Sequence, residues 1–378
     1  MRRFKALLFV AVALFPFATL LAGEDPLGQW IDTLLAVQGK GQGNVEAAQA
    51  WERIVRRGPE AIPPLLAALD EAKPLAANWI RSAVEAIAET ALREKKPLPQ
   101  RKILAFLQDR RHQPRARRLA WELLLAANPS LAQRLVPSFL DDPSVELRRE
   151  AVARLIEQIR QKEKSGTGKE ELVRLYRQAL SAARDEDQVN LLAEKLRSLG
   201  QKVDLARHFG YVLRWKLIGP FDNTGKKGFA VAYPPEQKLD FAATYPGKEG
   251  PVRWIDHTTQ EANGRVDLNK ALGKHMGAVG YAATVFYSDR EQEVDIRVTS
   301  DCAVKFWLNG KLLGSYEVYH AGQRTDQYIG RGRLRPGKNI ILVKCCQNEQ
   351  KEPWAQGWQF RLRVCDRTGT AILSTDRP

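Results

Sequence analysis

What this sequence lacks narrows its function first. It has no G-x-S-x-G nucleophile elbow, no H-E-x-x-H metal helix and no phosphate-binding P-loop. Its one glycine-rich stretch, Gly39-Lys-Gly-Gln-Gly43, joins two helical patterns rather than a strand to a helix, so it reads as a flexible loop. The five histidines, His112, His208, His257, His275 and His320, are scattered without metal-ligand spacing. Carboxylate pairs such as Asp141-Asp142 and Glu170-Glu171 stand at the starts of helical patterns, where capping and the helix dipole account for them. No convergent catalytic set emerges. The expectation is a protein that is not an enzyme and needs no metal and no cofactor.

Cysteine is absent before Cys302. The four present are Cys302, Cys345, Cys346 and Cys365, with no C-x-x-C spacing and no haem-attachment motif. An even count suits disulfides in an oxidising compartment. Strand parity orders them. In 340–346, Lys344 is expected to face solvent, which turns Ile341, Val343 and Cys345 inward. Cys302 shares a face with Val304, Phe306 and Leu308, and Cys365 points away from Phe360, Leu362 and Val364. The parity-consistent pairs are Cys302–Cys345 and Cys346–Cys365, and the alternative is four free thiols.

There is one long apolar run, residues 6–21, behind the basic start Met1-Arg-Arg-Phe-Lys5. Small residues Ala22 and Gly23 follow, and acidic, polar sequence begins at Glu24. This is the pattern of a secretory signal peptide over residues 1–23, with an uncleaved anchor as the alternative. Glu24 stands where a lipoprotein signal needs cysteine. No later segment is apolar enough to span a bilayer, so the mature chain is expected to be periplasmic or secreted, without a transmembrane segment.

The formal charge is +15, and about +12 once Arg2, Arg3 and Lys5 are removed. In an exported protein such a surface points away from nucleic acid and toward anionic cell-envelope polymers, or is simply a solvated face.

From 26 to about 207, apolar residues recur at three and four positions, as in Trp79, Ala83, Val84 and Ile87. The pattern repeats. Arg81-Ser-Ala-Val-Glu-Ala-Ile87 aligns with Arg118-Leu-Ala-Trp-Glu-Leu-Leu124 and with Arg149-Glu-Ala-Val-Ala-Arg-Leu155, at offsets of about 37 and about 31 residues, the size of a two-helix unit. Leu140-Asp-Asp-Pro-Ser-Val-Glu-Leu-Arg-Arg-Glu-Ala-Val-Ala-Arg-Leu155 and Gly58-Pro-Glu-Ala-Ile-Pro-Pro-Leu-Leu-Ala-Ala-Leu69 resemble HEAT repeats. The resemblance implies an α-solenoid over 24–209 whose exposed face binds a protein partner. It also implies that Arg149 reaches back to the turn begun by Asp142, and Arg118 less closely to Asp109. The sharpest basic cluster, Arg110-Arg-His-Gln-Pro-Arg-Ala-Arg-Arg118, is broken by Pro114 and reads as a polyanion site or as a solvated turn with Arg118 used structurally.

Near Phe209 the period changes to two. Strands are expected at 213–218, 281–288, 292–299, 303–308, 311–316, about 326–333, 339–346 and 358–365, with an Asn309-Gly310 hairpin. Residues 222–275 read as irregular loops over one edge. The spacing predicts an antiparallel β-sandwich over 210–378. The runs 281–288, 294–301, 304–311 and 337–344 resemble galactose-binding-like jelly-roll modules, and Trp215-Lys-Leu-Ile-Gly-Pro-Phe221 with Tyr233-Pro-Pro-Glu236 resembles exported HEAT-repeat proteins of planctomycete-type bacteria. The fold class is therefore multidomain, all-α then antiparallel β.

Sugar-binding sandwiches stack aromatics on pyranose rings and add a few polar groups. Candidate stacking and ligand-binding residues are Trp354, Trp358, Tyr319 and His320, with Arg324, Asp326 and Asn309 as hydrogen-bonding groups. The expected role is an exported binding or scaffold protein, the solenoid taking a protein and the sandwich a glycan. The alternatives are a structural cell-envelope protein with no sugar binding, or an accessory subunit of an extracellular hydrolase.

Overall fold

The computed structural model describes residues 26–376; the expected signal peptide, 1–23, lies outside them. The chain divides into two compact units, Met1–Ala127 and Asn128–Pro378. Among the described residues, no helix is long and apolar enough to cross a membrane.

The first unit holds helices Leu27–Leu35, Asn44–Arg57, Ile62–Ala68, Pro74–Arg93, Gln100–Gln108 and Pro114–Ala127. Pro74 and Pro114 open their helices, where the missing N–H is no loss. The segments aligned in sequence bury matching positions: Ala83, Val84 and Ile87 in one, and Ala120, Trp121 and Leu124 in the other. The arginine expected at the turn is displaced by one residue. Arg117, not Arg118, donates to the Leu107 carbonyl at 2.8 Å, while Arg118 lies over the Trp121 ring and pairs with Glu122.

The second unit begins with helices Pro129–Leu135, Val145–Lys164, Lys169–Ala182, Glu186–Ser198 and Leu205–Phe209. Asn128 caps the first of these and Ser144 the second. The one-residue displacement recurs. Arg148 donates to the Asp142 carbonyl at 2.9 and 2.7 Å, and Arg149 instead reaches Asp187 in the first turn of helix Glu186–Ser198 and Asp185 just before it. In a helix, adjacent positions point about 100° apart, so the buried arginine is the one beside the apolar stripe and its neighbour faces outward.

The strands are β1 (Arg214–Asp222), β2 (Thr244–Pro246), β3 (Pro251–Arg253), β4 (Ile255–Thr258), β5 (Val266–Asp267), β6 (Ala278–Ser288), β7 (Gln292–Thr299), β8 (Ala303–Leu308), β9 (Lys311–Tyr316), β10 (Tyr328–Leu334), β11 (Gly337–Gln347) and β12 (Gln359–Cys365). All pairings among the described residues are antiparallel, in a six-stranded sheet ordered β4-β1-β6-β11-β8-β9, a four-stranded sheet ordered β10-β7-β12-β5 and a two-stranded β2-β3 sheet. The two face each other over one apolar core that includes Leu217, Phe286, Ile296, Phe306, Val343, Trp358 and Phe360. Positive φ at Asn309 (52°) and Gly310 (80°) makes the expected tight hairpin between β8 and β9. Gly314 lies where a Cβ would come within 2.4 Å of the Phe306 ring, so a side chain there would lever the edge strand off the core.

Both outer faces are partly covered. Segment 223–256 packs Phe229, Val252 and Trp254 onto Ile218, Tyr281 and Leu342 of the larger sheet. The region read as loops over an edge is thus a cover for a face. Lys344 has the predicted outward parity, but that cover buries it completely. The outer face of the smaller sheet meets the helices. Backbone bonds from Val212 to Leu362 and from Val364 to Gly210 continue the sheet along the free stretch of β12. Gly210 has φ +79°, and a Cβ there would lie 2.5 Å from the Val364 carbonyl.

The helix-to-sheet junction also contains His208, which donates from Nε2 to the Ala183 carbonyl at 3.2 Å. Burial, reinforced by the Arg184 guanidinium and more weakly by Arg363, pushes its imidazole down to about 4. The folded protein therefore keeps His208 neutral while the unfolded chain takes a proton near 6.5. Stability from this group is full above that value and falls as pH drops toward the folded pKa, by about 2–3 kcal/mol. Urea unfolding across this window is expected to show the loss in the wild type and a flatter profile in His208→Gln. Identical profiles would remove His208 from the account.

The cysteines need correction. All four are buried free thiols. Cys346 lies on the outer face of the larger sheet, among Ile218, Phe221 and Tyr281. Cys365 lies on β12 of the smaller sheet, directed at the Asp295 carbonyl. Facing sheets lie about 10 Å apart, and these thiols point away from each other, so Cys346–Cys365 cannot pair. Cys302 and Cys345 do adjoin in the inter-sheet core, where burial first, and then a hydrogen bond to Cys302, push the Cys345 thiol upward. There they serve as small apolar residues.

Candidate functional site

Two loops meet at one end of the sandwich, 317–327 between β9 and β10 and 348–358 between β11 and β12. The short helical turn Pro353–Ala355 sets Ala355 into the core and leaves Trp354 outside, 67 % exposed. His320 meets the Trp354 indole edge-to-face, with ring centroids 5.2 Å apart at 77°.

The histidine is fixed on two sides. Its backbone, at φ 59°, donates to the Asp301 carbonyl at 2.6 Å, and its Nε2 lies 3.1 Å from Asn348 Oδ1. Asn348 is itself buried, and its carbonyl accepts from Gly277 N at 3.0 Å. The exposed indole therefore stands on a rigid base.

Tyr319 flanks this pair. Its hydroxyl accepts from Asn223 Nδ2 at 3.2 Å, and the Lys226 ammonium lies over its ring at 5.1 Å. Burial pushes its phenol up to about 12, so it remains a neutral donor at physiological pH. Asn223 is buried, and its Oδ1 has no hydrogen-bond partner among the described residues. Arg324 is exposed in the same loop, and its carbonyl accepts from Thr299 Oγ1 at 3.1 Å. Asp301, below, accepts from the side-chain amides of Gln323 and Gln359.

Of the residues singled out by sequence, Trp354, His320, Tyr319 and Arg324 thus gather at one end. Three do not join them. Trp358 is fully buried and donates from Nε1 to the Cys345 carbonyl at 3.0 Å, which makes it a core residue. Asp326 turns inward and pairs with Arg363 and Arg297. Asn309 stands at the far end of β8, about 20 Å away at the usual rise per residue. Its amide is consumed by the Asn339 side chain and the Ile340 N–H.

Asn348, Asn223 and Lys226 were missed. Each acts on a neighbour remote in sequence, so only the loop packing reveals it. Among the described residues no cluster of His, Cys, Asp and Glu has the arrangement of a metal site.

No protein-family model matches this sequence, and no curated protein matches it. Among solved structures, a β-glucosidase from Kluyveromyces marxianus in complex with glucose is 14 % identical, with a TM-score of 0.24 over 42 % of this chain and 16 % of that one. A family 35 carbohydrate binding module from Clostridium thermocellum is 12 % identical, with a TM-score of 0.17 over 23 % of this chain and 71 % of that one. A β-glucuronidase from an uncultured Clostridium sp. is 14 % identical, with a TM-score of 0.26 over 41 % of this chain and 28 % of that one. Likenesses this slight do not bear on activity.

Proposed function

We propose that this is an exported, non-catalytic binding protein whose sandwich takes a saccharide on the Trp354 platform. The observation that carries the reading is an indole two-thirds exposed and held by a histidine that is itself clamped. An exposed, immobilised tryptophan loses little side-chain entropy on binding, and its apolar face matches the C–H face of a pyranose ring. His320 and Arg324 at the rim supply polar contacts. In this reading the sandwich is a jelly roll, and the helices form a HEAT-like solenoid that presents a protein-binding surface.

The test is retention on immobilised polysaccharides chosen from a glycan array. Trp354→Ala is expected to weaken binding at least tenfold, about 1.4 kcal/mol, with an unchanged melting temperature, because the side chain supports no core. If the wild type binds nothing on a broad array, the sandwich is a structural part of the cell envelope instead.

A further inference from the structure

The opposite end of the sandwich carries a cleft of about 460 Å³ where the edge strands β9 and β10 meet the turns at 289–291 and 309–310. Its floor is apolar: Leu313 is partly exposed there, and Val294 and Leu308 behind it belong to the inter-sheet core. Its walls carry five cations, Lys311, Arg331, Arg333, Arg335 and Arg367, and three carboxylates, Glu291, Glu293 and Asp295.

The ion pairs do not balance. Arg333 pairs with Glu291 at 2.8 Å and Arg367 with Glu293 at 2.7 Å, while Asp295 is held by Arg297 at 2.9 Å and reaches Arg331 only at 3.7 Å. These pairs use all three acids. Arg335 and Lys311 remain exposed on the wall and have no ion-pair partner among the described residues. Two unmatched cations beside an apolar floor, in a cavity of ligand size, favour a ligand that has both an anionic group and an apolar face. A bare phosphate would use the charge but neither the floor nor the volume.

We infer that this cleft binds a carboxylate-bearing saccharide unit, with the ring over Leu313 and the carboxylate between Arg335 and Lys311. It is a second site, about 20 Å from Trp354 and independent of it.

The experiment is calorimetric titration of the full chain with a trigalacturonate and with its fully methyl-esterified form, which keeps the sugar rings, removes the charge and adds a methyl group to each unit. The acidic trimer is expected to bind at least tenfold more tightly than the ester, with an affinity that falls as salt rises. The exposed double variant Arg335→Ala/Lys311→Ala should lose at least tenfold while keeping its melting temperature, and Trp354→Ala should bind the trimer like the wild type. Three results would each overturn the inference: equal affinity for the two trimers, an unaffected double variant, or inorganic phosphate binding as tightly as the acidic trimer. Loss in Trp354→Ala with retention in the double variant would also overturn it, yet leave the platform reading standing.

Discussion

Asp326→Ala is expected to destabilise the protein by about 3–5 kcal/mol, measured by urea unfolding at neutral pH. Asp326 accepts from Arg363 Nε at 2.6 Å, again from Arg363 Nη2, and from Arg297 Nη1 at 2.8 Å. Arg363 is buried and also donates to the carbonyls of Phe209 and Gly369, both at 3.2 Å. Arg297 has Asp295 as its second carboxylate, at 2.9 Å. Two guanidiniums are thus matched by two carboxylates beneath the helices. Removing Asp326 strands a buried cation that cannot shed its proton, because arginine stays charged at any working pH. Burial pushes the Asp326 carboxyl upward, and Arg363 and Arg297 more than reverse this, so the folded pKa lies below the unfolded value near 3.8. Its contribution is therefore present above that value and is lost as pH falls through the folded one. Replacing the pair together, as Asp326→Leu/Arg363→Met, should restore much of the loss. A single-variant effect below about 1 kcal/mol would mean that water reaches the pair and the junction is held by other contacts.

This pair also marks the boundary of what could be read in advance. Strands such as 292–299, 303–308 and 311–316 were legible to the residue, because alternation and the Asn309-Gly310 turn are local signals. Parity was legible as well. Lys344 does point away from the inter-sheet core, and Cys346 does share its outer side. Whether an outward side chain meets water depends on what covers the face. The cover, 223–256, has short strands and many turn residues, so its pattern is weak. Asp326 and Trp358 failed as ligand residues for one reason. A polar or aromatic residue beside a loop has the same local sequence whether it turns outward, as Trp354 does, or inward toward Arg363 or the core. In the helices the apolar stripe was legible, but the arginine that reaches back to the turn was assigned one position late, at Arg149 instead of Arg148.

Glu236→Ala is the complementary experiment on the other face, with an expected loss of about 3–5 kcal/mol. The Lys344 ammonium is fully enclosed, and its three donors are all used, by the Phe229 carbonyl at 3.1 Å, the Val231 carbonyl at 2.6 Å and Glu236 Oε1 at 2.7 Å. The rings of Tyr233 and Tyr281 each lie 5.6 Å from it, and the Tyr281 hydroxyl donates to the same carboxylate oxygen. Burial depresses the Lys344 pKa, and the bond to Glu236 restores part of it. Without Glu236 the folded pKa falls further below the unfolded value near 10.5. The unfolded chain then holds the extra proton, so the variant should gain stability as pH rises toward that value, more steeply than the wild type. Lys344 still donates to the carbonyls of 229 and 231 in this variant, so the neighbouring 224–229 turn, which brings Lys226 over Tyr319, should keep its place. Saccharide binding at the platform should then hold while stability falls. The double replacement Glu236→Leu/Lys344→Met removes both charges and should recover stability. It leaves 229 and 231 without their donor, so weaker binding at the platform is expected in this variant and not in Glu236→Ala. A Glu236→Ala variant with wild-type stability and an unchanged pH slope would show that the Lys344 amine does not depend on this carboxylate.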